Sequence, residues 1–235
     1  MTPRFISPRD LREPRAGILR EPLAVKTEQL IDALALDAAS RRPFFRSFVY
    51  ATVLSIAVDA VIFFAAIGPR PDIAAAAETW RFLLKFVVTL SVAAPATLLV
   101  YRLAAPAMWL RSDLRILLVP LGLLLAAAII ELGLVPPSLW MVRVIGSNSV
   151  NCMTLIPLLA AAPLASFFIL LRHGAPRDPG SAGAAAGLAA SAIAATLYAL
   201  NCFDDSPLFV ITWYPLATAM VVAAGYLGGR RFLAW

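Results

Sequence analysis

Residues 182–214 read AGAAAGLAASAIAATLYALNCFDDSPLFVITWY. No side chain from Ala182 to Leu200 is charged, and a second apolar run opens at Leu208. Between them stands a short polar break with a cysteine, two aspartates, a serine and a proline. The hydrocarbon core of a bilayer is about 30 Å thick and takes about 20 mostly apolar residues as helix. Each run meets that length. The Ala and Gly content of the first lets neighbouring helices approach closely. Two transmembrane helices joined by a polar turn is the reading that decides the fold class.

Working outward, the same pattern recurs. Six stretches qualify as spans: roughly Ser47 to Ile67, ending at Gly68-Pro69; Phe82 to Leu103; Arg115 to Val135, before Pro136-Pro137; Cys152 to Leu171; Ala182 to Leu200; and Leu208 to Leu227. The expected fold is all-α, a polytopic bundle of six transmembrane helices over 47–235. The composition agrees. The chain has 235 residues, 61% hydrophobic and 14% charged, against about half apolar and about a quarter charged in soluble domains. A pI of about 9.9 can point to nucleic acid, but the positive charges lie between apolar runs rather than in one patch. That is topology-setting charge, and direct nucleic-acid binding is not expected.

Six spans put both termini on one side. Sixteen of the twenty Lys and Arg fall there, leaving Arg70, Arg81, Lys85 and Arg143 opposite. The rich side faces the cytoplasm, so both termini are expected inside. Residues 1–25 form a basic, proline-containing tail with no core of its own. Residues 26–46 are a cytoplasmic segment, in which KTEQLIDALALDAAS reads as a short amphipathic helix. Thr27 is its N-cap and Glu28 sits in its first turn. Leu30, Ile31, Leu34 and Ala38 share one face, and Arg41-Arg42-Pro43 closes it before the membrane. The apolar face needs a cover: a membrane surface or a protein groove. Asp32 and Asp37 among the apolar positions favour the groove, because an anionic leaflet would repel them.

Cys152 and Cys202, the two cysteines, form no CxxC or zinc-finger spacing. Both fall at the non-cytoplasmic ends of their helices. Two thiols at one depth can form a disulfide if their Cα atoms come within about 7 Å, or hold a soft metal as thiolates. Asp204 and Asp205 can add oxygen ligands, and Asn151 and Asn201 can donate hydrogen bonds. Against this, membrane cysteines are commonly packing residues and DDSP is a good turn. His173 lies roughly 30 Å away, across the bilayer. Asp59, inside the first span, is a functional candidate in its own right. Lys85 and Glu131 lie nearer the outer surface, to snorkel or pair. Arg70, Arg81 and Arg143 are too scattered for a phosphate site, and no charges are expected to pair across the spans. No Ser-His-Asp set, HExxH or glycine-rich phosphate loop points to an enzyme.

CFDDSPLFVITWY, the Asn-Cys that opens the fourth span, and KTEQLIDALALDA ahead of six spans resemble the NrsF family, integral-membrane anti-sigma factors that regulate an extracytoplasmic-function sigma factor, sigma F. The resemblance runs from Val25 to the C-terminus. Family members tend to begin near the equivalent of Lys26-Thr27, so Val25 is a candidate true start, with Met1 to Ala24 upstream of it. The resemblance implies a bacterial inner-membrane protein whose sigma-binding segment maps onto Lys26 to Ala39, with Leu30, Ile31, Leu34 and Asp37 as contacts. It implies that Cys152 and Cys202 sense heavy metal or oxidant, with Asp204, Asp205, Asn151 and Asn201 in support. No constitutive cofactor is implied; a soft or heavy metal ion held transiently by Cys152 and Cys202 would be the signal. The alternative from another class is a small proton- or cation-coupled transporter working through Asp59.

Overall fold

The computed structural model describes residues 27–104, 114–174 and 176–233, with side chains from Phe44 onward. The basic tail lies outside these residues, as do the side chains of Leu30, Ile31, Leu34 and Asp37. The chain divides into two units, Met1–Phe44 and Phe45–Trp235. In the first, the described backbone is helical from Thr27 onward.

The described elements are all helical. They are α1 (Thr27–Ala66), α2 (Ile73–Ala77), α3 (Trp80–Leu103), α4 (Leu118–Leu134), α5 (Trp140–Ile145), α6 (Ser149–His173), α7 (Pro179–Tyr198) and α8 (Pro207–Phe232), with single 3-10 turns before α4 and α5. Among the described residues six stretches are long and apolar enough to cross a membrane: Phe44–Ala66, Trp80–Leu103, Arg115–Leu134, Pro137–His173, Pro179–Tyr198 and Pro207–Phe232. This is a multi-pass membrane protein. One boundary expected from sequence fails. The helix does not stop at Arg41-Arg42-Pro43, because α1 continues through Pro43 to Ala66. A proline inside a helix forfeits one main-chain hydrogen bond, and the strongly apolar run that follows favours continuing the helix.

Local chemistry sets the helix ends. At the end of α1, the amides of Ile67 and Gly68 both turn back to the Phe63 carbonyl, and Gly68 adopts φ +75°, a C-terminal closure that suits glycine. Thr79 caps α3 through the Phe82 amide. Asp178 caps α7 through the Gly180 amide, with Pro179 in the first turn, so α7 begins ahead of Ala182. Ser206 and Pro207 do the same for α8. Proline belongs there because the first helical N–H has no partner anyway.

α7 is the hub of the bundle, its span far more buried than the others, with α3, α6 and α8 packed around it. Glycine makes this possible. A Cβ on Gly183 would stand 2.2 Å from the Gly225 carbonyl oxygen, and one on Gly229 would stand 2.2 Å from that of Pro179. The α7 and α8 backbones therefore touch, the close crossing that small residues permit in lipid. Within Phe45–Trp235, α1 turns Phe48, Ser55, Asp59 and Phe63 inward, and Phe48 meets Tyr101 of α3 and Phe167 of α6. Hydroxyls along the spans bond back to their own helices, as Thr154, Thr196 and Thr212 do to carbonyls four residues earlier. Such back-bonding satisfies the hydroxyl where no water is available.

Candidate functional site: a thiol pocket at one end of the bundle

The polar break between α7 and α8 is short and tightly held. After Tyr198 the chain makes one more turn, with the amides of Asn201 and Cys202 both on the Tyr198 carbonyl at 3.0 and 3.1 Å. It then runs without regular structure to Ser206. This places Cys202 inside the protein, with no exposed surface. Cys152, in the first turn of α6, is equally buried, and both thiols are free.

The two cysteines belong to one hydrogen-bonded cluster. The Cys152 amide donates to the Asn148 carbonyl at 2.8 Å. The Tyr198 hydroxyl donates to that same carbonyl at 3.4 Å, while the Tyr198 carbonyl receives the Cys202 amide. The Cys202 thiol turns to the Asp204 carbonyl at 3.7 Å. The Asp204 carboxylate accepts from the Ser147 and Asn148 amides at 2.9 and 2.7 Å and from the Asn148 side chain at 3.0 Å. An acid on the amides just ahead of a helix is favourable through both the bonds and the helix dipole. The loop of Cys202 thus caps the helix of Cys152, which brings both cysteines to one end of the bundle.

Burial pushes the Cys202 thiol above the ordinary thiol range. The positive charge of Lys85, the main-chain hydrogen bond at Asp204 and the Tyr198 hydroxyl oppose that rise, while the Asp204 charge adds to it. At neutral pH this thiol is protonated and unreactive until its surroundings change. Among the described residues no group of three or more His, Cys, Asp or Glu is placed to hold a metal ion, so any metal here would rest chiefly on the two sulfurs.

Glycine shapes the wall beside Asp204. Gly146 ends α5 at φ +60° and ψ −169°, a region open essentially to glycine alone. A Cβ there would stand 2.5 Å from the Phe209 ring and 2.7 Å from the Asp204 carboxyl carbon. Outside the pocket, a cavity of about 740 Å³ is lined by Arg81, Arg143, Ser147, Phe203, Asp204 and Asp205, among others, but by neither cysteine.

Two ion clusters brace this end, and they correct one expectation. Asp205 joins Lys85 at 2.6 Å and Arg70 at 2.8 Å. Arg70 also makes two bonds of 2.7 Å to Asp72, which hold the Asp72 carboxyl below its usual range. Glu131, fully buried, is held by Arg81 at 2.8 Å and by Arg143. Charges do pair across spans, contrary to expectation: Arg81 of α3 reaches Glu131 of α4. Of the two alternatives for Lys85 and Glu131, to snorkel or to pair, both take the second and are paired in the interior. Arg70, Arg81 and Arg143, scattered in sequence, gather at one end around two carboxylates. A buried carboxylate draws cations from any helix that faces it, because an unpaired charge there is costly.

The remaining candidates are placed as follows. Asn201 donates to the Gly68 carbonyl at 2.9 Å, and Asn151 to the Asn148 side chain at 3.4 Å. Each braces the pocket's frame rather than a sulfur. Asp59 is fully buried, and its oxygens have no hydrogen-bond partner among the described residues. It lies about 10 Å inside the end of α1. His173 closes α6, with Nδ1 2.7 Å from the Ile169 carbonyl, and the length of that helix sets it about 30 Å from Cys152.

Residues 33–235 match the family described as NrsF, Negative regulator of sigma F. The chain belongs to this family. The match covers all six spans of this NrsF chain, both cysteines and both ion clusters. Two curated relatives agree over their whole length. The probable anti-sigma-F factor NrsF of Azospira oryzae is 28% identical over 216 residues, covering 90% of this chain and 100% of the relative. The anti-sigma-F factor NrsF of Caulobacter vibrioides is 30% identical over 215 residues, with the same coverage. No solved structure matches. Sequence reasoning about the NrsF pocket missed Tyr198, Asn148 and Gly146, and did not name Asp205 as the partner of Lys85. The only available hint was that Tyr198 lies four residues before Cys202 and Asn148 four before Cys152, one helical turn in each case.

Proposed function

We propose that this chain is an inner-membrane anti-sigma factor that sequesters an extracytoplasmic-function, sigma F-like factor and releases it when Cys152 and Cys202 meet heavy metal or oxidant. The observation that carries the reading is the full-length similarity to two proteins named as anti-sigma-F factors. The cytoplasmic segment 26–46 grips the sigma factor through Leu30, Ile31, Leu34 and Asp37. The excess of Lys and Arg on that side of the spans supports cytoplasmic termini, and puts the thiol pocket at the periplasmic end.

The pocket's architecture suits a switch. Cys202 sits on a loop bonded to α3 through Lys85, to α6 through Asp204 and to the α1–α2 connection through Arg70 and Asn201. A disulfide or a bridging soft metal would pull on all of them at once. The bundle then has two arrangements, and thiol chemistry favours the one that lets go. A complete switch needs about 5.5 kcal/mol of differential affinity, within reach of two thiolates on a soft metal. The test is a double variant, Cys152→Ser with Cys202→Ser. Sequestration should survive and induction of the sigma-dependent promoter should be lost; full induction would sink the sensing role.

A transporter using Asp59 is the second reading, favoured by that unpartnered buried carboxylate. It predicts solute flux in proteoliposomes that Asp59→Asn abolishes.

A further inference from the structure

Lys85 is 1% exposed, in a span that crosses the membrane. Burying an ammonium is costly, and an apolar side chain of similar length would fill the same volume without that cost. Its bonds indicate what it does. The ammonium donates to the main-chain carbonyl of Cys202 at 2.9 Å and pairs with Asp205 Oδ1 at 2.6 Å, over the ring of Phe82. Asp205 does not depend on it alone, since Arg70 binds the other carboxylate oxygen at 2.8 Å. The Cys202 carbonyl depends on it heavily, because its other donor, Arg70, stands 3.4 Å away.

The amide of Cys202 is already fixed on the Tyr198 carbonyl. With the carbonyl fixed as well, both peptide planes at Cys202 are set, and the direction of its side chain follows from them. Tyr198 then links this arrangement to Cys152 through the shared Asn148 carbonyl.

We propose that Lys85 is a positioning residue for the thiol pair, holding the Cys202 peptide so that its sulfur stays in register with that of Cys152. The inference rests on the reading of these cysteines as an acting pair. It is tested by a thiol–disulfide equilibrium, which needs no sigma factor and no promoter.

The full chain, purified into lipid nanodiscs, is equilibrated with glutathione and glutathione disulfide. One glutathione disulfide is reduced to two glutathiones as the Cys152 and Cys202 thiols give up their hydrogens and their sulfurs join. Lys85→Met should lower the equilibrium constant for closing that disulfide about tenfold, the size of one charge-assisted hydrogen bond. Arg81→Met is the control. It breaks a half-buried ion pair at the same end of the bundle but touches neither cysteine, and should lower the melting temperature while leaving the equilibrium constant unchanged. If Lys85→Met does not assemble, Lys85→Gln, which removes the charge and shortens the reach, is read in the same way. An unchanged constant in the Lys85 variant, an equal loss in Arg81→Met, or a wild-type pair that does not close would each overturn the proposal. None of these would touch the anti-sigma reading, which the promoter assay decides separately.

Discussion

Asp204 Oδ2 lies 2.7 Å from the Asn148 amide, so the loop that carries Cys202 caps the helix that carries Cys152. Fifty residues separate the cysteines in sequence, yet one carboxylate holds both segments. Asp204→Ala would leave the Ser147 and Asn148 amides without their acceptor. The expected loss is about 1 kcal/mol, typical of a helix cap, read as a lower melting temperature in nanodiscs. Faster maleimide labelling of both thiols should accompany it. Unchanged labelling would mean that the cap does not hold the pocket shut.

The α7–α8 crossing should tolerate almost nothing larger than hydrogen at Gly183. Its Cβ would press on backbone, which cannot swing aside as a side chain can. Gly183→Ala should therefore cost about 1–3 kcal/mol as overpacking. Gly133→Ala, with nothing within 4 Å of the added carbon, should be neutral or slightly stabilising. Comparing the two melting temperatures separates close packing from a general effect of altering glycine in a span.

Glu131 is fully buried between two guanidinium groups that are about one-third exposed. Glu131→Ala removes the anion and leaves Arg81 and Arg143 facing each other, at an expected cost of about 3–5 kcal/mol. The assembled yield should fall sharply. A triple variant that also replaces both arginines with Met should regain much of the loss.

The Cys202 thiol has its pKa raised by burial, and the sign is definite: the folded state keeps the proton at a pH where a free thiol has lost it. An impermeant maleimide should therefore label Cys202 slowly at pH 7.5, with the rate still climbing above the ordinary thiol value of 9.0. Denaturation should restore ordinary reactivity. Labelling of the folded protein at pH 7.5 as fast as that of a free cysteine would contradict the closed pocket.

Much of the fold could be read from the residues. The uncharged run from Ala182 to Leu200, the Gly68-Pro69 stop and the Pro136-Pro137 break marked spans because length and hydropathy are local properties. The shared level of Cys152 and Cys202 followed from counting spans. The ion clusters did not, because which cation meets Glu131 or Asp205 depends on how each helix is rotated in the bundle. Gly146 was equally silent: its unusual backbone is needed only because Phe209 and Asp204 crowd it from distant parts of the chain. Pro43 misled for a physical reason, since a proline ends a helix only when the energy of continuing is small.

The most direct test of the account is release of a bound sigma factor by chemistry at the thiols. Sealed membrane vesicles, periplasmic face outward, would carry the full chain with its sigma-F-like partner bound inside, and a thiol oxidant or soft metal ion would be added outside. The account predicts that the partner leaves the wild-type membrane and stays on Cys152→Ser/Cys202→Ser membranes. Equal release from both, or retention by both, would contradict it.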